Sequence, residues 1–350
     1  MRRPRLPARF PPDPYVMALL ATVALAALLP ARGAAATAAD AAQTCAVALL
    51  FFLYGARLST RETLDGLRHW RLHLTVLTAT FAVFPLLGLA AGVLVPGVLT
   101  PQLYHGLLFL CLVPSTVQSS IAFTSMARGN VPAAVCAGSF SSLVGVLLTP
   151  LLAAGLLGGT TGGFSTDSLA AIVLHLLVPF LLGQTLRPWV GRFLVRRKKV
   201  LGYVDRGSIL LVVYAAFSAG MAAGIWHRVS LPRLGALLAV EAVLLAAMLS
   251  LTWYGAGRLG FGREDRVAIQ FAGSKKSLAA GLPMAGVLFG PQAALAALPL
   301  MLFHQMQLMV CAVPARRRAR DPEPAACAEL PAHRVAEVSR TLRHPTARAR

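Results

Sequence analysis

Apolar segments about 20 residues long, the length a helix needs to cross a hydrocarbon core, recur along almost the whole chain. They fall at residues 14–30, 41–57, 72–95, 103–127, 131–157, 168–187, 207–226, 233–256, 266–290 and 292–313. Lipid offers no hydrogen bonds, so a segment crossing it must satisfy its own backbone as a helix or join a sealed barrel. Barrel strands are about ten residues long and alternate apolar with polar, which these runs do not. The sequence therefore predicts an all-α membrane protein of ten transmembrane helices. Only 13% of the 350 residues are charged, about half the share found in soluble domains. The net charge of +20 would suit nucleic acid if it formed a stripe on a folded surface. Here the basic residues sit in short segments between apolar runs, which argues against nucleic acid as a partner. The start of the chain has the basic and apolar regions of a signal peptide. Many further apolar runs follow it, so it is read as a retained first helix. Cys45, Cys111, Cys136, Cys311 and Cys327 show no paired spacing and imply neither a disulfide framework nor a metal site.

Ten spans put both termini on one side, and the positive-inside rule says which. With cytoplasmic termini, 28 of the 33 Lys and Arg residues fall in inner segments and three (Arg32, Arg228, Arg233) in outer ones. The remaining two are Lys275 and Lys276. A miscounted helix would scramble this split. The expected organisation is a cytoplasmic segment 1–13, a ten-helix domain 14–313 and a basic tail 314–350 in the cell (plasma or inner) membrane. The tail lacks an apolar period and is expected to be disordered. It either touches anionic headgroups or serves as a solvated topology anchor.

Five spans precede the basic stretch 187–206 and five follow it, so the second half runs with opposite orientation, as in inverted repeats. The fourth span of each half carries a small, polar interruption. One reads Pro114-Ser115-Thr116-Val117-Gln118-Ser119-Ser120 and the other Gly273-Ser274-Lys275-Lys276-Ser277. Proline removes a backbone donor, and non-helical backbone at membrane depth survives only inside protein or beside a water-filled cavity. A single such break is most simply a kink. Two in matching positions point to a transporter's substrate site. A lysine near the bilayer centre costs at least a few kcal/mol, so something must hold or use Lys275 and Lys276.

At these residues the chain resembles the bile acid:sodium symporter family, in a divergent branch with G-S-K-K-S-L in helix nine. LFFLYGARLS (50–59), VPSTVQSSIAFTSMARGN (113–130) and FAGSKKSLAAGLPMA (271–285) carry the resemblance, which covers about residues 14–313. It implies a core domain of helices three to five and eight to ten, with helices four and nine crossing at their breaks. Helices one, two, six and seven would form a panel domain, and substrate would lie between the two. Taken from the two breaks, from the resemblance and from helix ten together, the candidate substrate- or ion-binding residues are Ser115, Thr116, Gln118, Ser119, Ser120, Asn130, Ser139, Gln270, Ser274, Lys275, Lys276, Ser277 and Gln305. Sodium would fall to Ser119, Ser120, Gln270 and Ser274. The family's helix-five hydroxyls align with Ala134 and Gly138, though Ser139 and Ser141 are close, and its sodium-binding glutamate aligns with Gln270. The fixed negative charge is missing, so one lysine is expected to stand where a cation would bind or to pair with an anionic substrate. A buried amine can also exchange its proton, which leaves H+ beside Na+ as a coupling ion. No cofactor is expected.

Glu241 is the acidic residue within a span, open between a proton relay, a lysine partner and a side chain reaching the interface. His304, Gln305 and Gln307 on helix ten either face the crossing or, more plainly, make interhelical hydrogen bonds, and His175 reads as structural. The function expected is secondary active transport of a small organic anion, bile-acid-like or another carboxylate or sulfonate. The alternatives are a non-transporting regulatory membrane protein and an intramembrane hydrolase using Ser274 or Ser277 with a lysine. The expected partners are the lipid bilayer and the anion, with a weak homo-oligomer left open.

Overall fold

Helix covers the apolar runs, and no strand occurs among the described residues. The computed structural model describes residues 14–57, 69–157, 166–222, 224 and 230–319. The expected cytoplasmic segment 1–13 and the tail beyond 319 lie outside the described residues. α1 spans Pro14–Leu28 and α2 Ala34–Arg57. α3 (Trp70–Thr78) passes through a π turn, Ala79–Val83, into α4 (Phe84–Ala90). α5 (Pro101–Leu112) and α6 (Val117–Met126) divide one apolar run, and α7 is Val131–Leu157. α8 (Thr166–Arg196), α9 (Lys198–Ala222) and α10 (Leu231–Arg258) follow. α11 (Arg263–Gly273) and α12 (Leu278–Phe289) again divide one run, and α13 is Ala293–Arg318.

Among the described residues six helices are long and apolar enough to cross a membrane, and seven when the pair α5–α6, bent by 65°, is taken as one span. The protein is a multi-pass, all-helical membrane protein. α1, α8 and the pair α11–α12 occupy the places of the other three expected spans.

Helices extend further than the apolar runs, into basic sequence. The stretch 187–206 is helical: α8 runs through Pro188 to Arg196 and α9 begins at Lys198. Arginine and lysine are good helix formers, and Arg57 at the end of α2 pairs with Asp205 on α9. Likewise α13 continues through Pro314 to Arg318. Its last turn carries Arg316, Arg317 and Arg318, where cations suit the helix dipole. The boundary expected at 313 therefore falls inside a helix.

α2 packs on α8 and α9, and α1 on α9; α9 also reaches α12 and α13, and α8 reaches α7. α2 and α8 meet backbone to backbone. A Cβ at Gly55 would lie 2.0 Å from Phe180 O, and one at Gly183 2.0 Å from Phe52 O. Small residues let helices in lipid approach this closely. Tyr54 Oη on α2 donates to Ala279 O on α12 (3.4 Å).

Candidate functional site

The two interruptions exist, and each has a local cause. Thr100 caps α5 by accepting from Leu103 N–H at 3.2 Å, with Pro101 in the first turn. The helix stops at Leu112 because Val113 precedes a proline, which disfavours the α region. Val113 is extended, with φ −69° and ψ 146°. Helix resumes at Val117. α11 ends at Gly273, and Ser277 restarts the chain as the N-cap of α12, its Oγ accepting from Ala280 N–H at 3.2 Å.

Opening two helices strands backbone groups, and buried ones need partners. The breaks supply many of them for each other. Ser277 N–H donates to Pro114 O (2.9 Å). Ser115 Oγ donates to Ala272 O, and Ser120 Oγ to Phe271 O (2.9 Å). Neighbouring helices supply more. Ser115 N–H donates to Ser141 Oγ (3.0 Å) and Thr149 Oγ1 to Leu112 O (2.8 Å), both from α7. Gln307 on α13 clamps the second break from both sides, accepting from Lys276 N–H and donating to Lys276 O at 2.9 Å each.

The two lysines are both 0% exposed and differently held. Lys276 Nζ donates to Cys111 O (2.7 Å), Val113 O (2.8 Å) and Thr80 O (3.0 Å), beneath the Phe84 ring at 4.1 Å. An ammonium has three N–H donors, and here each has an acceptor. Lys275 Nζ points elsewhere. Among the described residues its one hydrogen bond goes to Ser119 O (2.9 Å), and the Phe123 and Phe271 rings lie 3.6 and 5.4 Å away. Cation–π attraction offsets part of the desolvation, but two N–H groups retain bonding capacity. The Oγ of the same Ser119 is buried without a hydrogen-bond partner.

The other predicted residues divide. Thr116 is buried at the start of α6 and Gln118 is exposed. Ser274 Oγ donates to Gln270 O (2.6 Å), and Gln270 Nε2 to Leu249 O (2.8 Å), while Gln270 Oε1 is buried without a partner. The hydroxyls of Ser274 and Ser277 thus engage backbone rather than a lysine amine. Asn130 lies away from the breaks, capping α7 through Ala133 N–H (3.0 Å) and donating to Asp265 Oδ1 (2.8 Å). Ser139 and Gln305 are half-buried; their neighbours Ser141 and Gln307 reach the breaks. At Gly138 a Cβ would sit 3.1 Å from Val117 Cα, so α7 uses that position for close approach to the start of α6. Glu241 is 0% exposed, and neither carboxyl oxygen has a hydrogen-bond partner. It therefore neither reaches the interface nor pairs with Lys275 or Lys276.

Sequence reasoning missed Thr80. Its carbonyl would bond Phe84 N–H in a regular α-helix, but in the π turn that N–H goes to Ala79 O. The next residue, Pro85, has no N–H to offer. Thr80 O is thereby left for Lys276. The signal was Pro85 in the third span.

Residues 13–320 match the profile of the SBF-like CPA transporter family. The chain is 55% identical over 336 residues to the "Uncharacterized protein PA2026" of Pseudomonas aeruginosa, covering 95% of this chain and 99% of that one. It is 48% identical over 312 residues to "Putative symporter YfeH" of Escherichia coli, covering 89% and 94%. It is 30% identical over 276 residues to "Sodium/bile acid cotransporter 7" of Danio rerio, covering 77% and 81%. A broken-helix pair closed by its own hydrogen bonds, in a chain that matches this family over nearly its whole length, leads to one conclusion: the protein belongs to the SBF-like CPA transporter family.

Proposed function

We propose that the protein is a secondary transporter of a small organic anion, a bile-acid-like compound or another carboxylate or sulfonate, working by alternating access. The observation that carries this reading is Lys275: a buried cation at the meeting point of two broken helices, with bonding capacity left over. An anionic headgroup there would pair with Nζ and accept from Ser119 Oγ, whose hydrogen is otherwise unused. A relative named a putative symporter supports transport, and relatives named sodium/bile acid cotransporters support the substrate class. In this reading ten spans form an inverted five-plus-five repeat. α3 to α7 with α10 to α13 act as a core that rocks against a panel of α1, α2, α8 and α9. Both termini are cytoplasmic.

The test is uptake of radiolabelled organic anions, taurocholate first, into liposomes containing the purified protein. Removing one partner of a buried charge pair costs roughly 2–5 kcal/mol. Lys275→Ala should therefore lower uptake by about 30-fold or more while inserting normally. Undiminished uptake by Lys275→Ala would remove the lysine from the site.

A further inference from the structure

Lys276 Nζ sits in a cage of backbone carbonyls. Three carbonyls from two separate elements converge on one nitrogen: Thr80 O from the π turn, and Cys111 O and Val113 O from the broken end of α5. Each is free for a structural reason. Thr80 O has lost its helical partner to the π turn and to Pro85. The C-terminal carbonyls of a helix lack intrahelical donors and carry the negative end of its dipole, and Pro114 prevents α5 from continuing. The Phe84 ring closes the cage with its electron-rich face 4.1 Å from the nitrogen. Rings of backbone carbonyls without a carboxylate hold K+ in potassium-channel filters.

We propose that Thr80 O, Cys111 O and Val113 O form a monovalent-cation site that the chain fills with its own ammonium, Lys276 Nζ. The cage itself is independent of the transport reading. Only its consequence, that this site takes no free sodium during transport, rests on it. Lys275 and Lys276 then divide the work. Lys276 is the resident cation that holds the two breaks and the third span together, and Lys275 is left for the anion.

The test is thermal unfolding of the purified full-length protein in sodium, potassium or choline chloride at equal ionic strength, with no transport substrate present. Wild type is expected to unfold at the same temperature in all three salts. Lys276→Ala removes the cation and leaves room for propylammonium, the fragment it has lost. This variant should unfold earlier in choline and regain stability with propylammonium or sodium. The gain should saturate and amount to at least about 2 °C. Lys275→Ala, which leaves the cage filled, should show no such gain. A sodium-specific rise of that size in wild type, or no rise in Lys276→Ala with any of these cations, overturns the proposal. Lys276→Met serves if Lys276→Ala folds too poorly to purify, because it keeps the volume but donates nothing. It should be destabilised and gain nothing from propylammonium. Lys276→Met as stable as wild type overturns the proposal. Because no transport is measured, these outcomes leave the anion-transport reading to be judged by uptake alone.

Discussion

Gln307 shows how much a single side chain does at a broken helix. Lys276 is wholly buried, and its N–H and C=O both lie outside helical pairing, so each needs a partner. A primary amide offers an acceptor and two donors on one planar group, and Gln307 meets both needs from one position on α13. It also bonds His304 Nδ1 at 2.9 Å. Replacing it with leucine leaves two buried backbone groups unmet, at about 1–3 kcal/mol each. Gln307→Leu should therefore lower unfolding stability by roughly that amount or more, while Gln305→Leu, on a half-buried side chain, should cost less than about 1 kcal/mol. Thermal melts of the two variants side by side check the difference. Gln307 was legible only as one of three polar residues on the tenth run. Which of them faces the break depends on how α13 packs against α5 and α12.

At the scale of an element, the π turn at Ala79–Val83 is the feature with a sequence cause and a remote purpose. A proline inside a helix usually costs about 3 kcal/mol, and Pro85 ought by that rule to be a defect. Here the lost N–H is what leaves Thr80 O facing Lys276. Pro85→Ala should thus fail to deliver the roughly 3 kcal/mol expected from removing a helix-interior proline, because the restored N–H competes for the carbonyl that Lys276 uses. A clear rise in unfolding temperature for Pro85→Ala would count against this role. The same reasoning explains α5 and α11. Their ends were readable from Pro114 and from the Gly273-Ser274 pair, because proline and glycine act on their own backbone. The serines that close the exposed carbonyls act across more than a hundred residues of sequence, as in Ser115 to Ala272 and Ser120 to Phe271.

For the whole molecule, the distribution of basic residues sets the orientation to be tested. Single cysteines placed in a cysteine-free background at 158–167 or 226–233 should react with a membrane-impermeant maleimide added to intact cells. Cysteines at 190–205 should react only after the inner face is opened. Both patterns reversed would invert the topology, and a mixed pattern would break the ten-span scheme. The basic residues at the end of α8 and start of α9 lie on helix rather than on a loop, so labelling there should be periodic along the chain.

The run lengths, the charge split and the paired interruptions determined a helical membrane protein with its polar centre at residues 113–120 and 273–277, because lipid forces each span to satisfy its own backbone and so makes composition legible. They also determined that two lysines needed holding. What holds each one was decided by tertiary structure alone. Lys275 and Lys276 are adjacent and chemically identical in the sequence. Their difference arises from which carbonyls, orphaned by the π turn and the end of α5, come within 3.0 Å of one nitrogen and not the other.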